Sequence, residues 1–184
     1  MGRILHLAAL LAGLGPLAAA AQPPQTQTPA PMVREAMEKL DWMVGDWRGE
    51  GWRVMPGGRE EFQVDEKVRH ELGGLIILVH GQGWSVAEDG SKVEGHKAFG
   101  VFSYDAYAQS YHFDAFVKEG YQTRNRPDVG DNSFRWSHPA GPGAEMRYYA
   151  RLTDAGEWLE TGERCEAETC VQTFEMRLKR ASTE

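Results

Sequence analysis

Cysteine is scarce: Cys165 and Cys170 are the only two in 184 residues. Two thiolates fall short of the four ligands of structural zinc, and their spacing is not the Cys-x-x-Cys of redox proteins. Missing as well are a His-Glu-x-x-His string, a phosphate-binding loop and a Ser-His-Asp order, so no familiar catalytic motif is present. Basic residues are in deficit, 20 Lys and Arg against 27 Asp and Glu, for a formal charge of −7. An acidic chain gains nothing from counterion release on a phosphate backbone, which excludes nucleic acid as the natural partner and disfavours acidic membrane surfaces. No apolar run reaches the ~20 residues that a spanning helix needs.

What the chain does have begins with an address. Arg3 gives a positive start, Ile4 to Leu17 is apolar, and Ala18 to Ala21 supplies small residues before Gln22. That order predicts a cleaved secretory signal over 1–21 and a periplasmic or secreted protein. The apolar stretch is interrupted by His6, Gly13, Gly15 and Pro16, which argues against an uncleaved anchor. Residues 22–31 are rich in Pro, Gln, Thr and Ala and read as a disordered linker. The remainder, 32–184, suffices for one domain with a core. An oxidising compartment makes a Cys165–Cys170 disulfide available across a hairpin loop, the alternative being two separate small core residues.

One helix is predicted, over Met32 to Met43, with Val33, Ala36, Met37, Leu40 and Met43 on one stripe and Pro31 in its first turn. Helical periodicity then gives way to ten strand-like runs: 47–55, 59–71, 75–86, 95–104, 109–117, 120–127, 132–138, 144–153, 157–165 and 170–179. Their short connections force antiparallel neighbours. Ten strands in succession either close or leave long edges exposed, so an all-β, ten-stranded up-and-down barrel is expected, with a β-sandwich as the alternative. Alternation assigns faces. Phe62, Val64, Glu66, Val68 and His70 share one side of their strand, and Gln63, Asp65, Lys67 and Arg69 share the other.

The densest signal is Leu40-Asp41-Trp42-Met43-Val44-Gly45-Asp46-Trp47-Arg48-Gly49-Glu50-Gly51. Gly45 is expected to end the helix, Trp47 to plug one end of the barrel, and Gly49 and Gly51 to let the strand bend. Gly-x-Trp at the start of strand one resembles the opening of lipocalins and other calycins. The longer Trp-x-x-Gly-x-Trp-x-Gly-x-Gly is similar to nitrobindin-type barrels and, with the Glu71 to Gly74 turn, to a calycin-like family of secreted bacterial proteins, a domain of unknown function. The resemblance implies a ten-stranded barrel with an interior pocket. It does not bring haem with it. Nitrobindins ligate iron through a histidine near the last strand, and Val171 to Leu178 contains none.

Parity instead nominates an interior polar set: Glu66, His70, His96, Tyr104, Tyr121, Thr123, Asn125, Trp136, His138, Tyr148 and Gln172. Aromatic walls with a few convergent polar groups are the usual make-up of a small-ligand pocket. The expected function is therefore an exported barrel holding a small, partly apolar ligand, with no catalytic step and no metal. Two other classes remain. One is an isomerase or hydrolase using Glu66 and His70 as an acid–base pair. The other is an interaction module whose outer aromatics Phe99, Phe116 and Tyr149 dock a partner or a second copy.

Overall fold

Strands dominate because, after Gly45, runs that mostly alternate apolar and polar residues recur between turn signals. A computed structural model describes residues 29–87 and 89–182, so the predicted leader and most of the linker lie outside the described residues. The chain opens with helix α1 (Ala30–Glu38) and a 3₁₀ turn (Asp41–Met43). Five strands follow: β1 (Gly45–Met55), β2 (Gly58–Glu71), β3 (Ile76–Val86), β4 (Lys92–Asp105) and β5 (Ser110–Val117). The second half holds β6 (Gln122–Asn125), β7 (Asp128–Gly130), β8 (Ser133–Pro139), β9 (Ala144–Leu152), β10 (Trp158–Glu166) and β11 (Thr169–Arg180).

All eleven belong to one antiparallel sheet, in the order β6-β5-β4-β3-β2-β1-β11-β10-β9-β8-β7. Two stacked sheets, the sandwich alternative, are not what forms. The sheet curls on itself, since β1 pairs with both its sequence neighbour β2 and the last strand β11. Its two free ends, β6 and β7, share no ladder among the described residues. Side chains bridge them instead: Phe113 of β5 lies 5.3 Å from Trp136 of β8, and Phe102 of β4 lies 5.0 Å from Phe134. The fold is thus a curled, half-barrel sheet rather than a fully hydrogen-bonded cylinder.

Two expectations need correcting. The run 120–127 is strand only over β6, and residues 128–130, expected to lie in the turn after it, form the further short strand β7, giving eleven rather than ten. Pro127 lacks an amide hydrogen and pushes Arg126 out of regular pairing, so the ladder breaks between them. The helix is shorter than Met32 to Met43 at its far end and starts earlier, at Ala30, inside the segment read as linker. Beyond Glu38 the backbone tightens to three-residue bonds, Lys39 to Ala36 and Leu40 to Met37, before the 3₁₀ turn. Gly45 therefore does not end the helix. It opens β1, with a φ of 139° that side-chain-bearing residues rarely adopt.

The shortened helix and the turn seal one end. Met37, Leu40 and Met43 are buried there with Trp47, Val68, Phe102, Trp158 and Leu178. Trp47 is the plug its position predicted, 1% exposed and donating its indole hydrogen to Met43 O at 2.7 Å. Trp158 meets it edge to face at 5.8 Å, and Trp42 packs on Trp158 at 5.3 Å. Full burial of a large apolar side chain contributes about 1.5–3 kcal/mol, so this cluster stabilises the closed end. Gly49 and Gly51 serve approach more than bending. A Cβ on Gly49 would stand 2.0 Å from Arg177 O, and one on Gly51 2.6 Å from the Phe62 ring. At the opposite end Cys165 and Cys170 pair across β10 and β11 and are disulfide-bonded. No helix among the described residues is long and apolar enough to cross a membrane.

Candidate functional site

Above the sealed floor the inward faces of the strands do not meet. They leave a cavity of about 880 Å³ that reaches the hairpin tips carrying Val54, Met55 and Tyr121. Small inward residues make this room: Gly81, Gly83, Ala98, Gly100 and Ala115 line β3 to β5. The opposite wall is aromatic. Trp136 and Tyr148 stack at 4.3 Å and 11°, and Phe62 stacks on Phe174 at 5.8 Å.

Seven of the predicted residues line this space: Glu66, His96, Tyr121, Thr123, Trp136, His138 and Tyr148. Tyr121 belongs to the mouth, since it is 76% exposed. His138 stacks 5.9 Å from Tyr148, its Nδ1 2.9 Å from Pro139 O. Burial pushes the His96 imidazole towards its neutral form and raises the Tyr148 hydroxyl to about 12, with the Glu160 carboxyl adding to the latter.

Four predicted residues lie elsewhere. His70 has the right parity but the wrong depth: fully buried Val68 stands between it and Glu66, and its Nε2 lies 3.0 Å from Asp41 Oδ1 outside the seal. The Glu66–His70 acid–base pair therefore does not assemble. Tyr104 is also too deep. It packs at 4.9 Å on Tyr111, whose hydroxyl donates to Ala36 O of α1. Asn125 turns its amide along β6 to Thr123 Oγ1 at 3.0 Å. Gln172 is exposed because the β10–β11 register shifts between Gly162 and Glu163, so Thr173 lines the cavity instead.

Glu160 is the residue that parity reasoning missed. It sits on β10 between Trp158 and Gly162, only 8% exposed, and lines the same floor as Glu66. Burial raises its carboxyl to about 7, a rise tempered by the indole N–H groups of Trp136 and Trp158. The Trp158 indole hydrogen completes no hydrogen bond of good geometry, so its effect is that of a nearby dipole. Burial, with Glu160 and then Asp65 adding repulsion, pushes Glu66 up to about 8. Its Oε2 is buried and reaches no donor. The carboxylate is pressed against bare backbone, for a methyl on Gly81 would lie 2.7 Å from Oε1. Near the mouth the charges are paired: Arg53 bonds Glu60 at 3.0 Å, and Arg164 bonds Glu166 at 2.7 Å.

The arrangement is a container sealed at one end, with an aromatic wall, an acidic floor and paired charges near its rim. It can hold and orient a small molecule through a few polar contacts at depth.

No protein-family model matches this chain, and no curated protein sequence does. Solved structures do share its fold. One is Rv2717c from M. tuberculosis, 14% identical, covering 80% of this chain and 98% of its own at a TM-score of 0.56. Another is the S-type phycobiliprotein lyase CPES from Guillardia theta, 12% identical, covering 83% of this chain and 94% of its own at a TM-score of 0.55. At such identities the likeness concerns architecture: the chain has a calycin-like β-barrel fold.

Proposed function

We propose that this protein is an exported binding barrel for a small, partly apolar molecule held in the cavity between Glu66, Trp136 and Tyr148. The observation that carries this reading is the cavity itself, about 880 Å³ with aromatic walls and a few polar groups at its floor. Drug-sized ligands occupy pockets of roughly 300–1,000 Å³ with this balance of surfaces. A phycobiliprotein lyase of the same fold is compatible with a small-molecule guest in such an architecture. Export rests on the leader-like 1–21 and gains support from the Cys165–Cys170 disulfide, a bond that persists in oxidising compartments. Membership of the secreted calycin-like family rests on the Trp42 to Gly51 motif. The reading includes no metal, no haem and no catalytic step.

Native mass spectrometry of protein purified from its own compartment tests it. The expected result is a mass excess of a few hundred daltons that vanishes on denaturation, without a haem absorbance band. An unliganded mass from every preparation, with no uptake from an extract of the same compartment, overturns the reading.

A further inference from the structure

The floor of the cavity holds two acids, buried Glu160 and half-buried Glu66 with its Oε2 enclosed, and no cation to match them. None of the ion pairs among the described residues includes Glu66 or Glu160. A buried oxygen without a donor is costly, and native structures keep few of them. Glu66 Oε2 is such an atom, and it borders the cavity rather than the packed core. Leaving β3 bare at Gly81 makes the space that this carboxylate occupies.

Resting on the receptor reading above, we infer that the cavity takes a primary amine, its ammonium group seated at Glu66 and Glu160 and its apolar tail along the aromatic wall. A carboxylate guest would add a third acid to this floor. A hydroxyl could donate one hydrogen bond but brings no charge against which either carboxyl could ionise. An ammonium offers three donors and a charge, enough for Glu66 Oε2 and for Glu160 together. The faces of Trp136 and Tyr148 attract a cation as well as an alkyl or aryl tail.

The other groups facing the space do not oppose this. Arg53 and Arg164 are committed to Glu60 and Glu166. Burial keeps His96 towards its uncharged form, and Tyr148 stays protonated through the physiological range. His138, on the wall beside Tyr148, faces the cavity between them. Burial also holds protons on Glu66 and Glu160, so an entering ammonium displaces a proton from the pair. Amine affinity therefore rises with pH to about 8, levels off, and falls once the amine itself deprotonates.

The test uses the full secreted chain, stripped of any retained molecule, and three probes with one tail: 4-phenylbutylamine, 4-phenylbutanol and 4-phenylbutyrate. Calorimetric titration at pH 6, 7.5 and 9 should rank amine over alcohol over carboxylate, the first two separated by about tenfold at pH 7.5. Amine binding should release protons, read from its heat in buffers of different ionisation enthalpy. Glu66→Gln and Glu160→Gln should each weaken the amine by about tenfold while changing the alcohol less than twofold. Either variant carries the test if the other fails to fold. The inference is overturned if amine and alcohol bind alike, if the carboxylate binds best, if the folded glutamine variants keep full amine affinity, or if no probe binds. Equal binding of all three leaves the receptor reading standing. An empty protein by mass spectrometry together with three silent probes removes both.

Discussion

A carboxyl group kept above pH 7 by its surroundings records an energetic conflict at a single side chain. Glu66, pushed up to about 8, and Glu160, up to about 7, hold protons in the native state that the unfolded chain has already released. The folded form therefore binds more protons across that interval, and stability falls as pH rises from about 5 to beyond 8. Glu66→Gln keeps the shape and abolishes the charge. Its urea midpoint should exceed the parent's at pH 9 by the equivalent of roughly 1–3 kcal/mol and match it at pH 5. Identical shifts at both pH values would show that the carboxyl is not held protonated. At this scale the sequence revealed side but not depth. Alternation placed Glu66 and Tyr148 inward, yet it also admitted His70 and Tyr104, because parity says nothing of how far along a strand the cavity extends. Glu160 escaped notice for a different reason: Trp158 and Leu159 are both apolar, so neither face of that strand declared itself.

Elements fared better where local chemistry decides and worse where the sheet does. The turn residues delimited nearly every strand, and the disulfide was legible from the four-residue loop. The break at Pro127 could have been read from the missing amide. The shift at Gly162, which turned Gln172 outward, is written in the pairing of two strands and not in either one. Strand β1 offers a sharper check. Its glycines are spaces: at Gly51 a methyl would meet Glu175 O at 2.4 Å, Phe62 at 2.6 Å and Met176 Cβ at 2.9 Å. Gly51→Ala should cost at least about 1–3 kcal/mol, since rigid backbone cannot yield as a side-chain tip can. Thermal unfolding measures this, and an unchanged midpoint would mean that β1 and β11 separate more easily than their register implies.

Over the whole molecule, the asymmetry between ends governs behaviour. Leu40, wholly buried under α1, ties the helix to the sheet. Leu40→Ala should lose about 2–5 kcal/mol in chemical denaturation, the cost of deleting a large core side chain. A loss under 1 kcal/mol would mean that the cap is incidental to the sheet. The expected closed cylinder and the observed curled sheet differ only where β6 and β7 fail to pair, and no pattern within either short strand announces that failure.

Because one end is stoppered by indoles, a guest of the proposed kind would come and go by the end away from them. Whatever group enters first must be the last to leave, so a molecule longer than the shaft keeps its trailing portion outdoors among Val54, Met55 and Tyr121. A guest held in this way would be marked by its exposed tail, and a recipient could grip that tail before the anchored head lets go.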